Sequence, residues 1–247
     1  MQGTYSGCTN LKAAVCGPNV TNMDGTYANC TNLTEAACGS NVTNMYKAYE
    51  GCTNLKTAVC GPNVLDFTGA YINCINLTAA VCGPNVQDMD SAYMNCGGLE
   101  MAVCGPKVTS MYQSYFNCRN LKIAACGPNV SSLIYAYSNC NSLTTAACGD
   151  RVQNMYYAYA NCGNLTTAVC GEMVVNMRSA YYRCGNIHGN AFFYSKNVEV
   201  MNYCFYWRGA EKALNIYVYA NSKTLNTILQ PNSYAFATFS TSTVTWT

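Results

Sequence analysis

A single interval governs most of this chain. Tyr5, Tyr27, Tyr49, Tyr71, Tyr93, Tyr115, Tyr137, Tyr159 and Tyr181 follow one another at steps of 22 residues, and so do Cys8, Cys30, Cys52, Cys74, Cys96, Cys118, Cys140, Cys162 and Cys184. A unit of that length cannot bury an apolar face alone, so it has to stack on copies of itself. A stack buries surface in proportion to its rungs, which makes the 247-residue length a weak guide to domain count. Met1 falls on the position of Met23, Met45, Met89, Met111, Met155 and Met177, so the chain opens inside a repeat. Such an opening is expected of a piece of a longer protein, and it carries neither the charged nor the apolar region of a signal peptide.

Composition narrows the function classes. Half the residues are hydrophobic, only 10% are charged and the net charge is +2, with the basic residues scattered. The clustered Lys/Arg footprint of a nucleic-acid or anionic-membrane binder is missing. No apolar run is long enough for a membrane span.

Within the unit some positions never vary. The third residue after each repeat leucine is Ala (Ala14, Ala36, Ala58, Ala80, Ala102, Ala124, Ala146, Ala168). The fifth is Cys (Cys16, Cys38, Cys60, Cys82, Cys104, Cys126, Cys148, Cys170), while the second ranges through Glu35, Thr57, Met101 and Ile123. A site that tolerates Glu, Met and Thr faces solvent, and one fixed as Ala or Cys faces a crowded interior. This alternation has the period of a strand, which predicts one short strand per rung near Thr57–Cys60, stacked in parallel at roughly 4.8 Å. Gly-Pro-Asn then turns the chain. Met, Tyr and Cys of Met-x-x-Ala-Tyr-x-x-Cys fall at i, i+4 and i+7, which predicts a short helical turn.

The pattern Val-x-x-Met-x-x-Ala-Tyr-x-x-Cys-x-x-Leu-x-x-Ala-x-Cys resembles the leucine-rich repeats of the BspA-like bacterial surface-protein family. That family's unit carries Ile or Met, then Ala-Phe or Met-Phe, Gly-Cys, Ser-Leu and a short apolar strand ending in Pro. Here Tyr stands at the Phe position and Cys ends the strand. The resemblance runs from Met1 to about Ile187, with a degenerate rung at Val198–Trp207. It implies an α/β solenoid, a leucine-rich-repeat-like array of 22-residue rungs, each with one short parallel strand and a short helical turn. We expect residues 1–190 to form the solenoid and 191–247 the degenerate last rung and C-terminal capping unit. Within that cap, strands at Ile216–Tyr219 and Ala235–Thr247, a helix at Ser222–Leu229 and a turn at Pro231-Asn232 are expected. A parallel β-helix is the fold alternative, disfavoured by the helical grouping.

Eighteen cysteines and a single His188 do not form a zinc pattern, because the spacings alternate between 8 and 14 rather than pairing closely. Two internal ladders of reduced thiols are expected, with Cys204 outside both and no metal or cofactor. Carboxylates, serines and His188 form no catalytic grouping, so the chain is expected not to be an enzyme.

Two surfaces remain as candidate binding sites. The fourth strand position is always Val or Ala and points outward by alternation. With its neighbours it makes an apolar stripe through Val59, Val81, Met101, Val103 and Ile123. Tyr112, Tyr135, Tyr156, Tyr157 and Tyr182 lie off the core ladder and are expected on the outer side, where aromatics stack on sugars or peptides. The resemblance implies an extracellular setting, at a bacterial cell surface or on a phage virion such as a tail fibre. The expected function is non-catalytic adhesion to a protein or glycan on a cell surface. The alternative is an architectural subunit or spacer whose stripe is covered by neighbouring chains of an assembly.

Overall fold

The computed structural model describes residues 1–124, 126–206, 214–218, 222–228 and 244–246. Rungs lie parallel, and bridges along the repeat join a residue to its counterpart 22 positions on, except the last, Asn176↔Val200, which spans 24.

Three lines of main-chain contacts tie the rungs together. The first is the strand wall. β1 (Ala79–Val81) pairs in parallel with β2 (Met101–Val103), from Ala79↔Met101 to Val81↔Val103. Single bridges join Ala13 to Glu35 and Thr57 to Ala79. β3 (Val169–Cys170), β4 (Gly189–Phe193), β5 (Leu214–Val218) and β6 (Val244–Trp246) continue the wall as a four-stranded parallel sheet, and α1 (Lys223–Ile228) follows β5. The expected turn at Pro231-Asn232 lies outside the described residues, as does most of the expected strand from Ala235. The second line is a continuous run of parallel bridges, Asn22↔Asn44↔Asp66↔Asp88↔Ser110↔Ser132↔Asn154↔Asn176↔Val200.

The third line corrects the expected helix. In Met45–Cys52 the amides of Met45, Lys47, Tyr49 and Gly51 donate to Asp66, Thr68, Ala70 and Ile72 of the next rung at 2.7–3.0 Å. Those of Ala48, Glu50 and Cys52 donate back to Met45, Lys47 and Tyr49 at 3.0–3.2 Å. An α-helix would keep every amide inside the segment. Here alternate amides serve the neighbour, which requires a left-handed residue at the second position after Met and the second after Tyr. Lys47, Ser91, Gln113, Tyr135 and Tyr157 hold the first place at φ +49° to +56°, and Asn73, Asn95, Asn117 and Asn161 the second at +61° to +63°. The face is a chain of turns, although it aims the same Met, Tyr and Cys inward. Asn suits the second place twice over: it tolerates this backbone, and its amide bonds across rungs (Asn95 Nδ2 to Asn73 Oδ1 at 2.9 Å, Asn117 to Asn95 at 3.0 Å).

The interior is built of ladders. Tyr5 through Tyr181, with Phe205 in the tenth place, stack ring on ring at centroid spacings of 5.2–5.7 Å and interplanar angles of 4–12°. Tyr5, in the first rung, is 40% exposed. The hydroxyls of Tyr27, Tyr49, Tyr71, Tyr93, Tyr159 and Tyr181 reach main-chain carbonyls of the strand wall. Tyr71 Oη donates to the Val59 carbonyl at 2.7 Å and accepts from the Val59 amide at 3.0 Å, and Tyr181 treats Val169 alike. Such bonds coexist with strand pairing at Val169, which belongs to β3. Beside β1 and β2 the hydroxyl bonds are longer or missing: Tyr93 Oη donates to the Val81 carbonyl at 3.4 Å, and buried Tyr115 Oη has no partner.

Both thiol ladders have structural roles. Cys52, Cys74, Cys96, Cys118 and Cys140 each donate at 3.1 Å to the carbonyl of the tyrosine 25 residues back, in the preceding rung. The second ladder is not fully internal as expected. Cys16, Cys38, Cys60, Cys104, Cys126 and Cys148 are half-buried, and only Cys82 and Cys170 are buried. Its sulfurs sit under the glycine of the next rung. A Cβ on Gly105 would meet the Gly83 carbonyl oxygen at 2.8 Å and Cys82 Sγ at 3.0 Å. Glycine is needed there for close approach between rungs rather than for a turn conformation.

Two measurements check this packing. Gly105→Ala should lose about 1–3 kcal/mol of unfolding free energy, because backbone oxygen cannot retreat. Gly163→Ala, whose Cβ would meet nothing within 4 Å, should stay within about 0.5 kcal/mol. In the second, Tyr71→Phe should cost about 1–2 kcal/mol in urea unfolding, while Tyr115→Phe should be neutral or stabilising because it removes an unsatisfied buried hydroxyl.

Candidate functional site

The cysteines are the first chemical candidates, and the structure places all eighteen as free thiols, with Cys204 buried and Cys8 exposed. A thiolate nucleophile or metal ligand needs a lowered pKa. Here burial does the opposite. It pushes Cys52, Cys60, Cys104, Cys148 and Cys162 from an ordinary 9.0 up to about 12, and Cys82 up to about 11. Among the described residues no group of three His, Cys, Asp or Glu is placed to hold a metal ion. A shallow recess of about 300 Å³ lies over Cys148, Asp150, Cys170, Glu172 and Tyr194, and its sulfurs are held protonated by the same burial.

The first predicted surface is the strand wall. β1 and β2 alternate outward, inward, outward, so Ala80 and Ala102 pack inside while Val81, Met101 and Val103 face out. Val59 is 37% exposed, Val81 57%, Met101 62%, Val103 53% and Ile123 60%. The structure therefore brings these five onto one face. It also extends the stripe beyond the predicted residues. Val169 is in register with Phe192, which is in register with Tyr217, and the two rings stack at 4.8 Å. Ala125, a predicted member of the stripe, lies outside the described residues.

The second predicted surface lies on the turn face, across the core from the first. Its variable positions form four columns, the first and second residues after Met and the first and second after Tyr, in which Ile72, Ser138, Ala160 and Ser179 are buried. Tyr135 stacks on Tyr157 at 5.1 Å, and Tyr156 stands edge-on to both, at 5.4 and 4.7 Å. Tyr157 contacts Tyr182 at 6.0 Å. Tyr182 stacks on Tyr206 at 5.6 Å, and Tyr203 meets Tyr206 edge-on. Tyr112 stands near enough to Tyr135 to raise its pKa, although burial, followed by a hydrogen bond with Tyr156, is the larger reason that Tyr135 is pushed up to about 12. Tyr135, Tyr156, Tyr157 and Tyr182 thus join one patch, and Tyr112 stands in the first column two rungs before Tyr156.

Sequence reasoning missed four members. Tyr203 and Tyr206 occupy the columns of Tyr157 and Tyr182 in the degenerate rung, so periodicity alone would have found them. Arg178 follows Tyr156 in the first column and lies 5.8 Å from its ring centre, and Arg183 lies 5.3 Å from that of Tyr182. Two scattered arginines carry no sequence signal until the rungs are stacked.

A family model described as BspA type leucine rich repeat region matches the chain in six copies, over residues 1–96, 67–145 and 133–238. Among solved structures, the pneumococcal vaccine antigen PcpA is similar with a TM-score of 0.57 at 8% identity, over 96% of this chain and 68% of that one. A leucine-rich repeat protein from Bacteroides ovatus gives 0.48 at 13% identity, over 100% and 86%. A leucine rich cell surface protein from Faecalibacterium prausnitzii gives 0.37 at 13%, over 87% and 80%. No curated protein matches the sequence.

The raised thiol pKa values set the response to alkali. The unfolded chain sheds its thiol protons near pH 9, while Cys52, Cys60, Cys104, Cys148 and Cys162 in the folded chain hold theirs to about pH 12. Stability is therefore fully present at pH 7–8 and falls above pH 9, by about 1.4 kcal/mol per pH unit for each such thiol. Urea midpoints measured from pH 7 to 10 should stay level and then drop steeply, and Cys52→Ala should lessen the slope.

Proposed function

Because this chain belongs to the BspA type leucine rich repeat family, we propose that it is a non-catalytic recognition module at a bacterial cell surface, binding a protein or glycan through its tyrosine face. One observation carries this reading. Tyr135 and Tyr157 stand at φ +54° and +52°, in the place that glycine fills at Gly25 and Gly69. A bulky residue in this backbone costs about 1–2 kcal/mol, and neither side chain enters the core in return, both remaining only half-buried. Bulky aromatics kept at this place, in ring contact with Tyr156 and Tyr182, support a contact surface there. The likeness to a vaccine antigen of the pneumococcus supports the bacterial surface over the virion as the setting.

A second reading draws on the stripe. Val81, Met101, Val103 and Ile123, all more than half exposed, form a face suited to a neighbouring chain of an assembly. Light scattering separates the two readings: a monomer at micromolar concentration argues against the assembly, whereas a dimer dissociated by Met101→Asn with Ile123→Asn supports it.

The leading reading is tested by immobilising the chain over glycan and extracellular-matrix protein arrays. Wild type should retain at least one ligand. The variant Tyr135→Gly, Tyr156→Thr, Tyr157→Gly, which uses residues found in the same columns of other rungs, should bind it at least tenfold more weakly with its cooperative unfolding intact. Retention unchanged by the variant would refute the assignment.

A further inference from the structure

Charge is segregated along the turn face. In its four columns the carboxylates are Asp24, Glu50 and Asp90, with Lys47 beside Glu50 at 3.4 Å. From Tyr112 to Tyr206 those columns contain no carboxylate. They hold Arg178 and Arg183 among Tyr112, Tyr135, Tyr156, Tyr157, Tyr182, Tyr203 and Tyr206. Asp90 marks the acidic end of the patch, where it accepts from Ser110 Oγ at 2.6 Å and the Tyr112 amide at 2.9 Å.

We propose that this half of the face binds an acidic polysaccharide, a chain of uronic-acid sugars laid along the stack. The proposal rests on the reading of the tyrosine face as the contact surface and adds the ligand's class.

Three observations select this chemistry. The arginines lie against tyrosine rings at 5.8 and 5.3 Å, an arrangement that holds the guanidinium plane and suits its fork to a carboxylate. The ring planes of Tyr156 against Tyr157, and of Tyr203 against Tyr206, are near perpendicular, so the patch mixes ring faces for sugar C–H groups with hydroxyls for sugar oxygens. The third is position. Arg178 and Arg183 leave the same rung, from the first column and the fourth. Tyrosines stand on the rungs to either side, Tyr156 and Tyr157 before and Tyr203 and Tyr206 after, so a sugar chain laid along the stack meets rings, then the cation pair, then rings. Carboxylates confined to the other half of the face would repel such a chain and keep it in register with the tyrosines.

The test is binding of the intact chain to polygalacturonate by calorimetry, with fully methyl-esterified polygalacturonate and poly-glutamate as comparisons. Polygalacturonate should bind at least tenfold more tightly than either, and its affinity should fall with added salt. Arg178→Asn with Arg183→Asn should weaken it tenfold or more. Both replacements occur naturally in these columns, at Asn202 and Asn161, and Asn accepts the φ of +58° found at Arg183. No binding of polygalacturonate, equal binding of the ester or of poly-glutamate, or indifference to the arginine pair would each overturn the inference. If the tyrosine variant still abolishes capture on the arrays while polygalacturonate fails to bind, the ligand class is wrong and the contact surface stands. If the tyrosine variant changes neither, both are wrong.

Discussion

Every second amide of the turn face belongs to the neighbouring rung. Met45, Lys47, Tyr49 and Gly51 donate upward while the amides between them close their own turns, and the pattern recurs along the stack. The arrangement satisfies a buried backbone without forming a helix or a conventional strand. It also dictates the rest of the structure. Alternating donors require a left-handed residue at two places per rung, which determines where Asn and Gly collect. The short rise they impose brings the tyrosine rings into contact and leaves no room for a Cβ at Gly83, Gly105 or Gly127.

The side chains of the core complete the hydrogen bonding that this backbone leaves open. The tyrosine hydroxyl crosses the interior to the strand wall, and the thiol of the following rung satisfies the tyrosine carbonyl. Cysteine suits this position because it is small, largely apolar and still a donor. The match is not complete, since the buried Tyr115 hydroxyl beside β2 has no partner. Burial that holds the thiols protonated serves packing rather than chemistry. The abundance of cysteine is therefore a consequence of a tight repeat.

Once the interior is committed to stacking, variation is free only where side chains leave the rung. The stripe of the strand wall stays small and aliphatic until Phe192 and Tyr217. The turn-face columns change character instead, from acidic and glycine-containing in the early rungs to aromatic and basic in the late ones. Because each column runs straight up the stack, substitutions 22 residues apart in sequence become neighbours in space, and a long surface of one chemistry is built without any long loop.

The periodicity was sufficient to establish the repeat, its 22-residue unit, the inward Leu, Tyr and Met, and the outward places of Val81, Met101 and Tyr156. These follow from spacing alone, because equivalent residues in a stack have equivalent surroundings. It also led to a helix that does not exist, since i, i+4 and i+7 report which side chains share a face and not where the amides between them donate. The missing strands, the close approach at Gly105 and the pairing of arginine with tyrosine depended on rung-to-rung distance and on partners 12, 22 or 25 residues away. Only the tertiary structure decides those, because a hydrogen bond across the stack leaves no trace in the local order of residues.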